Sequence, residues 1–256
     1  MYLNEDENLY ETLFADNDLA DNDDLGLNML NEIHSHLDFD LMSNYYSIDK
    51  YNRSLPKDTD NLLSIMHFNI RSCKKNFDTL KIILESLSHK PDVICLSETW
   101  LTDINMHCFF LEGFIAYHII RPDRKARGGV SCFVNENIPS DRIEELSFVN
   151  KHIEVCTIKL SLSNESYAIS TVYRPSDTKY SDIDNFETQI SNITRNNLIR
   201  KCKQIFIGDF NINALEHTTH VPTNDFLNFM QASHFLPLIS RPTRFPEGNH
   251  GIDYNR

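Results

Sequence analysis

The stretch QIFIGDFNIN (204–213) contributes most to the prediction of the fold. Its first half is an apolar run of the kind that forms a buried β-strand, and Gly208 ends that run. Asp209 and Asn211 follow two residues apart, and in an extended chain their side chains point to the same side. A carboxylate and an amide at a strand end can hold a water and a phosphate oxygen. An Asx turn is the alternative, but the preceding apolar strand favours a site.

Six other segments have the same β-branched and aromatic character and are bounded by polar, Pro or Gly breaks. These predicted strands are 62–70, 92–100, 114–120, 130–134, 152–160 and 166–173. Apolar residues at helical spacing predict helices over 75–89 and 181–197, and a third that begins near a cap at Thr223 or Asn224. Strand follows strand between 114 and 173, which implies antiparallel pairing. The pattern therefore favours an α/β fold, a four-layer sandwich of two face-to-face mixed β-sheets flanked by helices.

Net charge separates the chain into two regions. The 256 residues carry a formal net charge of −13. Residues 1–60 hold 15 acidic and 3 basic residues, whereas residues 61–256 hold 22 acidic and 21 basic residues. We therefore predict an acidic, largely disordered leader over 1–60, with a short amphipathic helix near 27–37, and a folded domain over 61–256.

Several classes of protein are disfavoured by the sequence. No run of about 18 apolar residues exists, so no membrane span is expected. The N-terminus MYLNEDENLY lacks the basic and apolar regions of a secretory signal, so we expect an intracellular protein, nuclear or cytoplasmic, and not a secreted one. Cys95, Cys132 and Cys156 lie in apolar strand-like runs, which predicts buried thiols and not disulfides or zinc ligands.

Two further strand ends carry candidate metal ligands. Glu98 in LSETWL follows an apolar run, and Mg²⁺ prefers oxygen ligands with one or two carboxylates. A surface glutamate that opens a loop is an equally good interpretation of this residue alone. Asn69 in HFNIRS can complete a metal shell or orient a carboxylate, although alone it is better explained as a turn residue. His67 shares its face, and a lone histidine there is more often structural.

Three weaker segments offer phosphate contacts. In TVYRPS, Tyr173 has a hydroxyl and Arg174 a guanidinium, and both groups suit a phosphodiester. A packed tyrosine and a solvated arginine are the simpler interpretation of that pair. Thr243 in RPTR and Asp253 in GIDYNR are individually better explained by loop and turn geometry.

The order of these motifs decides between the alternatives. HFNIRS, SETWL, RGGVSCFV, YRP, GDFNIN, RPTR and IDY, in this order, resemble the endonuclease/exonuclease/phosphatase superfamily over residues 61–256. Within it, the chain looks most like the endonuclease domain of LINE-type (non-LTR) retrotransposons. The resemblance implies a hydrolase that nicks DNA, with Mg²⁺ or Mn²⁺ and no other small-molecule cofactor.

Site roles follow from this resemblance where the residues match. Glu98, helped by Asn69, would bind the divalent metal, and Asp209 would align and deprotonate the attacking water. The other candidate site residues would have supporting roles. Asn211 would contact the phosphate, Tyr173 would help position the scissile phosphate, Thr243 would lie near the DNA backbone, and Asp253 would lie close to a catalytic histidine. Arg174, from its guanidinium, is a candidate substrate-binding residue.

The sequence departs from the pattern of the family after IDY. The Ser-Asp-His element expected there does not follow within the chain, which predicts a domain without its last strand and with reduced or no activity. Two other hypotheses stay open. One is a superfamily phosphatase that uses Glu98, Asp209 and Asn211, and the other is an inactive nucleic-acid-binding remnant.

Overall fold

The computed structural model describes residues 2–3, 45–56, 62–122, 127–162, 165–175, 183–214, 218–239 and 243. The chain divides into two units. Unit 1 comprises Met1–Leu63, Leu87–His89 and Ala214–Arg256, and unit 2 comprises Ser64–Ser86 and Lys90–Asn213. The predicted boundary near residue 60 stays a prediction. Within the described ranges, no helix is both long and apolar enough to cross a membrane.

Ten strands and four α-helices are present among the described residues. The strands are β1 (Tyr2–Leu3), β2 (Leu63–Asn69), β3 (Val93–Ser97), β4 (Phe114–Ile119), β5 (Val130–Asn135), β6 (Ser140–Arg142), β7 (Phe148–Val149), β8 (Glu154–Leu162), β9 (Glu165–Tyr173) and β10 (Lys203–Asp209). The helices are α1 (Ile48–Ser54), α2 (Cys73–Ser86), α3 (Ile183–Thr194) and α4 (Val221–Ala232).

The strands of unit 2 form two mixed sheets. In the first sheet the order is β2-β3-β5-β4, with β2 and β3 parallel and the other pairs antiparallel. In the second sheet the order is β10-β9-β8-β6, with β10 and β9 parallel, while β7 also pairs with β8. The prediction of antiparallel pairing between residues 114 and 173 is confirmed.

The core of unit 2 lies between and around these sheets. Cys95 and Cys132, which are paired in the first sheet, and Cys156 of the second are fully buried, as predicted, and carry free thiols. Helix α2 packs on the first sheet, where the Phe77 ring lies 5.9 Å from that of Phe133. These contacts place α2 and the two sheets in successive layers.

Helix α3 forms the outer layer on the second sheet. Ile183, Phe186, Ile190 and Ile193 recur at helical spacing and are all buried. The ring of Phe186 lies 5.7 Å from that of Phe210, directly after β10. Burial of each such side chain contributes about 1.5–3 kcal/mol. The predicted α/β sandwich, two mixed sheets with flanking helices, is confirmed.

Three local predictions need comment. The strand predicted over 92–100 ends at Ser97, because Glu98 and Trp100 have left-handed backbone angles (φ 52° and 54°) that a strand cannot continue through. The predicted cap of α4 is also wrong: the N-cap is His220, and Pro222 occupies the first turn, where its missing N–H has no cost.

The third comment concerns the leader. The amphipathic helix predicted near 27–37 lies outside the described residues, and the predicted absence of a last strand stays a prediction. Within 1–60, helix α1 begins after Ser47, whose hydroxyl accepts a hydrogen bond of 3.2 Å from the Lys50 N–H.

Candidate active site

Four strand ends carry the main polar residues of the candidate site. In the parallel pair β2–β3, Asn69 lies opposite Ser97, and Glu98 is the next residue. In the parallel pair β10–β9, Asp209 lies opposite Tyr173. Parallel strands place their carboxyl ends at the same edge, which is where α/β folds commonly hold ligands. In each sheet of unit 2 the parallel strand pair thus ends in polar residues at its carboxyl end.

The Asn69 amide joins the two sheets at this edge. Its nitrogen donates to Glu98 Oε1 at 2.8 Å and to Asp209 Oδ2 at 2.6 Å, so two carboxylates converge on one amide group. The Asn69 Oδ1 atom accepts a hydrogen bond of 3.3 Å from the Arg71 N–H. Asn69 therefore organises the two carboxylates and is not an isolated turn residue.

Glu98 occupies a tightly held turn. Its carbonyl accepts from the Ser72 N–H at 2.8 Å, and the Thr99 carbonyl accepts from the Cys73 N–H at 2.9 Å, where α2 begins. The left-handed angle at Glu98 is unfavourable for a residue with a side chain and persists because the surrounding contacts fix it. Glu98 thus does not lie in the free surface loop that was the alternative interpretation.

Asp209 and Asn211 are linked by an Asx turn. The Asn211 N–H donates to Asp209 Oδ1 at 3.1 Å, and Asn211 has a left-handed φ of 48°. The prediction that an extended chain aligns their side chains is wrong, because the strand ends at Asp209. The turn and the candidate site coincide, so the two interpretations of GDFNIN do not exclude each other.

Arg174 is buried and forms hydrogen bonds with the loop that contains Asn211. Its side chain is buried, and its Nη1 donates to the Asn211 carbonyl at 3.0 Å. In return the Asn211 Nδ2 donates to the Arg174 carbonyl at 2.6 Å. The simpler interpretation of Arg174 as a solvated side chain does not apply.

Tyr173 lies buried next to the carboxylates. Desolvation raises the pKa of its hydroxyl above the ordinary value, and the charges of Glu98, Glu154 and Asp209 raise it further. The phenol therefore stays protonated at neutral pH and can act as a hydrogen-bond donor. Burial has the opposite effect on the imidazole of His67 and lowers its pKa to about 4, although the negative charge of Asp209 acts to raise it. His67 is therefore neutral at neutral pH. Its Nε2 lies 3.1 Å from Ser97 Oγ.

A divalent cation fits the donor set at this edge. Among the described residues, no group of three or more His, Cys, Asp or Glu side chains is placed to hold a metal. The two carboxylates are oxygen donors, and Mg²⁺ is commonly held by one or two carboxylates together with waters and substrate phosphates. Glu98 is the residue that would hold it, and Asn69, whose nitrogen faces both carboxylates, would orient Glu98.

Glu154 is a buried acid that our sequence analysis missed. It is completely buried at the start of β8, where its carboxylate accepts from Arg121 Nε and from the Gly129 N–H. Desolvation raises the pKa of this carboxyl, and the Arg121 charge opposes the shift. A glutamate inside the apolar run HIEVCTIKL was the available signal, since acidic side chains are almost never fully buried without a partner.

Two predicted site residues do not belong to unit 2. Thr243 is exposed and belongs to unit 1. Asp253 lies outside the described residues. The roles predicted for both stay predictions.

Comparison with solved structures gives low similarity to several nucleic-acid enzymes. The endonuclease domain of TRAS1, a telomere-specific non-LTR retrotransposon, is 13% identical with a TM-score of 0.48, covering 66% of this chain and 69% of that one. The AP endonuclease LMAP of Leishmania major is 16% identical with a TM-score of 0.49, covering 66% and 65%. The 3′ phosphatase NExo of Neisseria is 13% identical with a TM-score of 0.48, covering 67% and 71%. Similarity at this level does not distinguish among their activities.

Family membership is decided by the sequence match. None of the curated proteins compared with the chain matches it. Residues 66–253, well over half of the chain, match the Endonuclease/Exonuclease/phosphatase family. This range includes the strand ends that carry Asn69, Glu98 and Asp209. The chain belongs to the endonuclease/exonuclease/phosphatase family.

Proposed function

We propose that this chain hydrolyses phosphodiester bonds in DNA as a nicking endonuclease that depends on Mg²⁺ or Mn²⁺. The observation that carries the proposal is the convergence of the Glu98 and Asp209 carboxylates on the Asn69 amide. These residues come from three strand ends in two sheets, so the arrangement is a product of the whole fold of unit 2. Two carboxylates so close together are unfavourable without a cation or donor between them.

The metal would be held by Glu98 with the help of Asn69. When bound, it supplies positive charge that neutralises the phosphate and the leaving oxygen during in-line attack. The residues of the chain hold the carboxylate in place: the turn at Glu98 is fixed by hydrogen bonds from α2 and from Asn69. A ligand oriented in this way keeps its geometry when the substrate enters.

Asp209 is proposed to orient the attacking water and to accept its proton. Its two oxygens accept from different donors, Oδ2 from Asn69 and Oδ1 from the Asn211 N–H. These bonds fix the plane of the carboxylate at the end of β10. A general base acts efficiently when it is held within hydrogen-bonding reach of the proton that it removes.

Tyr173 and Asn211 are proposed to position the scissile phosphate. The raised pKa of Tyr173 keeps its hydroxyl protonated, so it can donate to a phosphate oxygen. Asn211 is held by mutual hydrogen bonds with Arg174. In this arrangement Arg174 supports the phosphate-contacting loop. A contact of Thr243 with the DNA backbone is a separate proposal.

The order of SETWL, YRP and GDFNIN supports DNA as the substrate and a non-LTR retrotransposon as the source of the domain. A superfamily phosphatase would use the same Glu98, Asp209 and Asn211. The two activities are separated by offering supercoiled plasmid and a phosphomonoester to the same protein with Mg²⁺. We expect slow plasmid nicking that EDTA abolishes, and its rate also measures the reduced activity predicted from the sequence. Release of inorganic phosphate without nicking would favour the phosphatase.

A further inference from the structure

Glu154 has a carboxylate that is fully buried and hydrogen-bonded through both of its oxygens. It is 0% exposed, and a charge in such a place is unfavourable unless it is paired and hydrogen-bonded. One oxygen pairs with Arg121 Nε and the other accepts from the Gly129 N–H. The Arg121 side chain is 22% exposed, so the pair extends from the interior toward the surface. Glu154 thus holds two segments of the chain at once.

The segment held through Gly129 continues to the Glu98 turn. The Gly129 carbonyl accepts from the Thr99 N–H at 3.1 Å, and the Gly128 carbonyl accepts from the Trp100 N–H at 2.8 Å. Thr99 and Trp100 directly follow Glu98. A continuous path of hydrogen bonds therefore leads from Glu154, through the two glycines, to the residues that fix Glu98.

Both glycines are needed for this close packing. A Cβ atom on Gly128 would lie 2.5 Å from Glu154 Oε1, and one on Gly129 would lie 2.6 Å from Thr99 Oγ1. Such distances are shorter than real contacts allow. The Gly128–Gly129 segment thus packs directly between the buried acid and the Glu98 turn.

The Glu98 turn requires this support. Glu98 and Trp100 both have left-handed backbone angles, which residues with side chains adopt only when the surroundings fix them. Glu154 is also electrostatically close to the site: it lies opposite Tyr173 in the register of β8 and β9. Its negative charge contributes to the raised pKa of the Tyr173 hydroxyl.

We infer that Glu154 is a positioning residue that, through Gly128 and Gly129, fixes the Glu98 turn and thereby sets the affinity of the site for a divalent cation. The inference rests on the proposed function, because it assumes that Glu98 binds the metal. It predicts an effect of Glu154 on metal binding itself, before any DNA is present.

The test is a titration of EDTA-treated full chain with Mn²⁺, in which electron paramagnetic resonance measures the unbound ion. Glu154→Met, which removes both acceptors at similar volume, should weaken binding about tenfold to a hundredfold. Glu154→Gln retains one acceptor for the Gly129 N–H and should weaken it less. Glu144→Gln is the matched control: Glu144 also pairs with an arginine, Arg142, but is exposed, and binding should be unchanged.

Circular dichroism melts decide whether each variant is folded. A folded Glu154→Met variant that binds Mn²⁺ with the affinity of the unmodified chain overturns the inference. If Glu154→Met does not fold, the Mn²⁺ affinity of Glu154→Gln is measured in its place. An unchanged affinity of that variant also overturns the inference. Glu98→Gln separates the two proposals. If this variant loses Mn²⁺ binding while the Glu154 variants bind Mn²⁺ normally, the inference fails but the proposed function stands. Absence of Mn²⁺ binding by the unmodified chain contradicts the proposed function and this inference together.

Discussion

Asn69 and Asp209 are hydrogen-bonded at 2.6 Å, although 140 residues separate them in sequence and they lie in different sheets. The bond joins the end of β2 to the end of β10. The same Asn69 nitrogen also contacts Glu98, so one amide links both carboxylates of the candidate site. An amide is suited to this position because it donates to two acceptors without carrying a charge of its own.

Replacement of Asn69 by alanine is expected to lower the rate of DNA nicking by about tenfold to a hundredfold, as for other residues that orient metal ligands. Asn69→Asp should be more harmful, because it adds a third carboxylate where the first two already repel each other. The comparison is Asn137→Ala, which removes an exposed turn asparagine of the same unit. Equal rates for the Asn69 and Asn137 variants would contradict the role assigned to Asn69.

Gly208 is expected to tolerate no side chain. A Cβ atom there would lie 1.8 Å from the Val172 carbonyl oxygen, in the neighbouring parallel strand. We expect Gly208→Ala to lower the free energy of unfolding by about 3 kcal/mol or more. At Gly113, which has a positive φ but no atom within 4 Å of an added Cβ, alanine should cost only about 1–2 kcal/mol. Urea denaturation of the two variants measures the difference, and similar losses would disagree with this packing.

Tyr173→Phe should reduce nicking by about a hundredfold, the usual effect of removing one donor to a transition-state oxygen. Because the pKa of Tyr173 is raised above its ordinary value of 10, the rate in the unmodified chain should show no alkaline decline from this group up to pH 10. Tyr117→Phe is the control, since Tyr117 donates to the Ser140 carbonyl at 2.9 Å, on the strands β4 and β6. An alkaline decline below pH 10 that disappears in Tyr173→Phe would show that the phenol ionises earlier.

His118 should make the fold sensitive to acid. Burial, with the charges of His107 and Arg142, lowers the pKa of His118 from 6.5 to about 4. The unfolded chain therefore takes up this proton first, so the free energy of unfolding falls as pH decreases from 6.5 to 4. The stability lost in this way is zero above pH 6.5, reaches its full value below pH 4 and amounts to at most about 3 kcal/mol.

The variant His118→Gln, which does not titrate, should show a shallower pH dependence in urea denaturation between pH 4 and 6.5. The exposed His234 provides the control substitution, His234→Gln. If both variants follow the unmodified chain over this range, His118 is not neutral in the folded state.

The sequence pattern predicts the strands and helices of the sandwich well, because apolar periodicity reflects burial. Apolar runs such as QIFI become β10, and the helical spacing around Phe186 becomes α3. Short strands are not predictable in this way: β6 is Ser140–Arg142, three polar residues whose pairing depends on β8. The end of β3 is also not predictable, since the left-handed turn at Glu98 depends on contacts with α2 and Gly129.

The members of the candidate site are predictable one by one, because strand ends with Asp, Asn or Glu are unusual choices for a core. Their mutual arrangement is not, since no spacing rule brings Asn69 to Asp209. Arg174 illustrates the limit: from sequence it resembles a phosphate ligand, whereas its guanidinium is buried against the Asn211 carbonyl. Glu154 is the opposite case: it belongs to no recognised motif, and only its burial in the structure indicates a role.

Metal-dependent hydrolysis with Asp209 as the base is tested by single-turnover nicking of supercoiled plasmid, by the full chain and by Asp209→Asn, across a titration of Mg²⁺. We expect nicking that rises with Mg²⁺, disappears with EDTA and falls at least about a hundredfold in Asp209→Asn, which keeps the shape but not the basicity of the side chain. Nicking that proceeds without a divalent metal, or that survives Asp209→Asn unchanged, would contradict this mechanism.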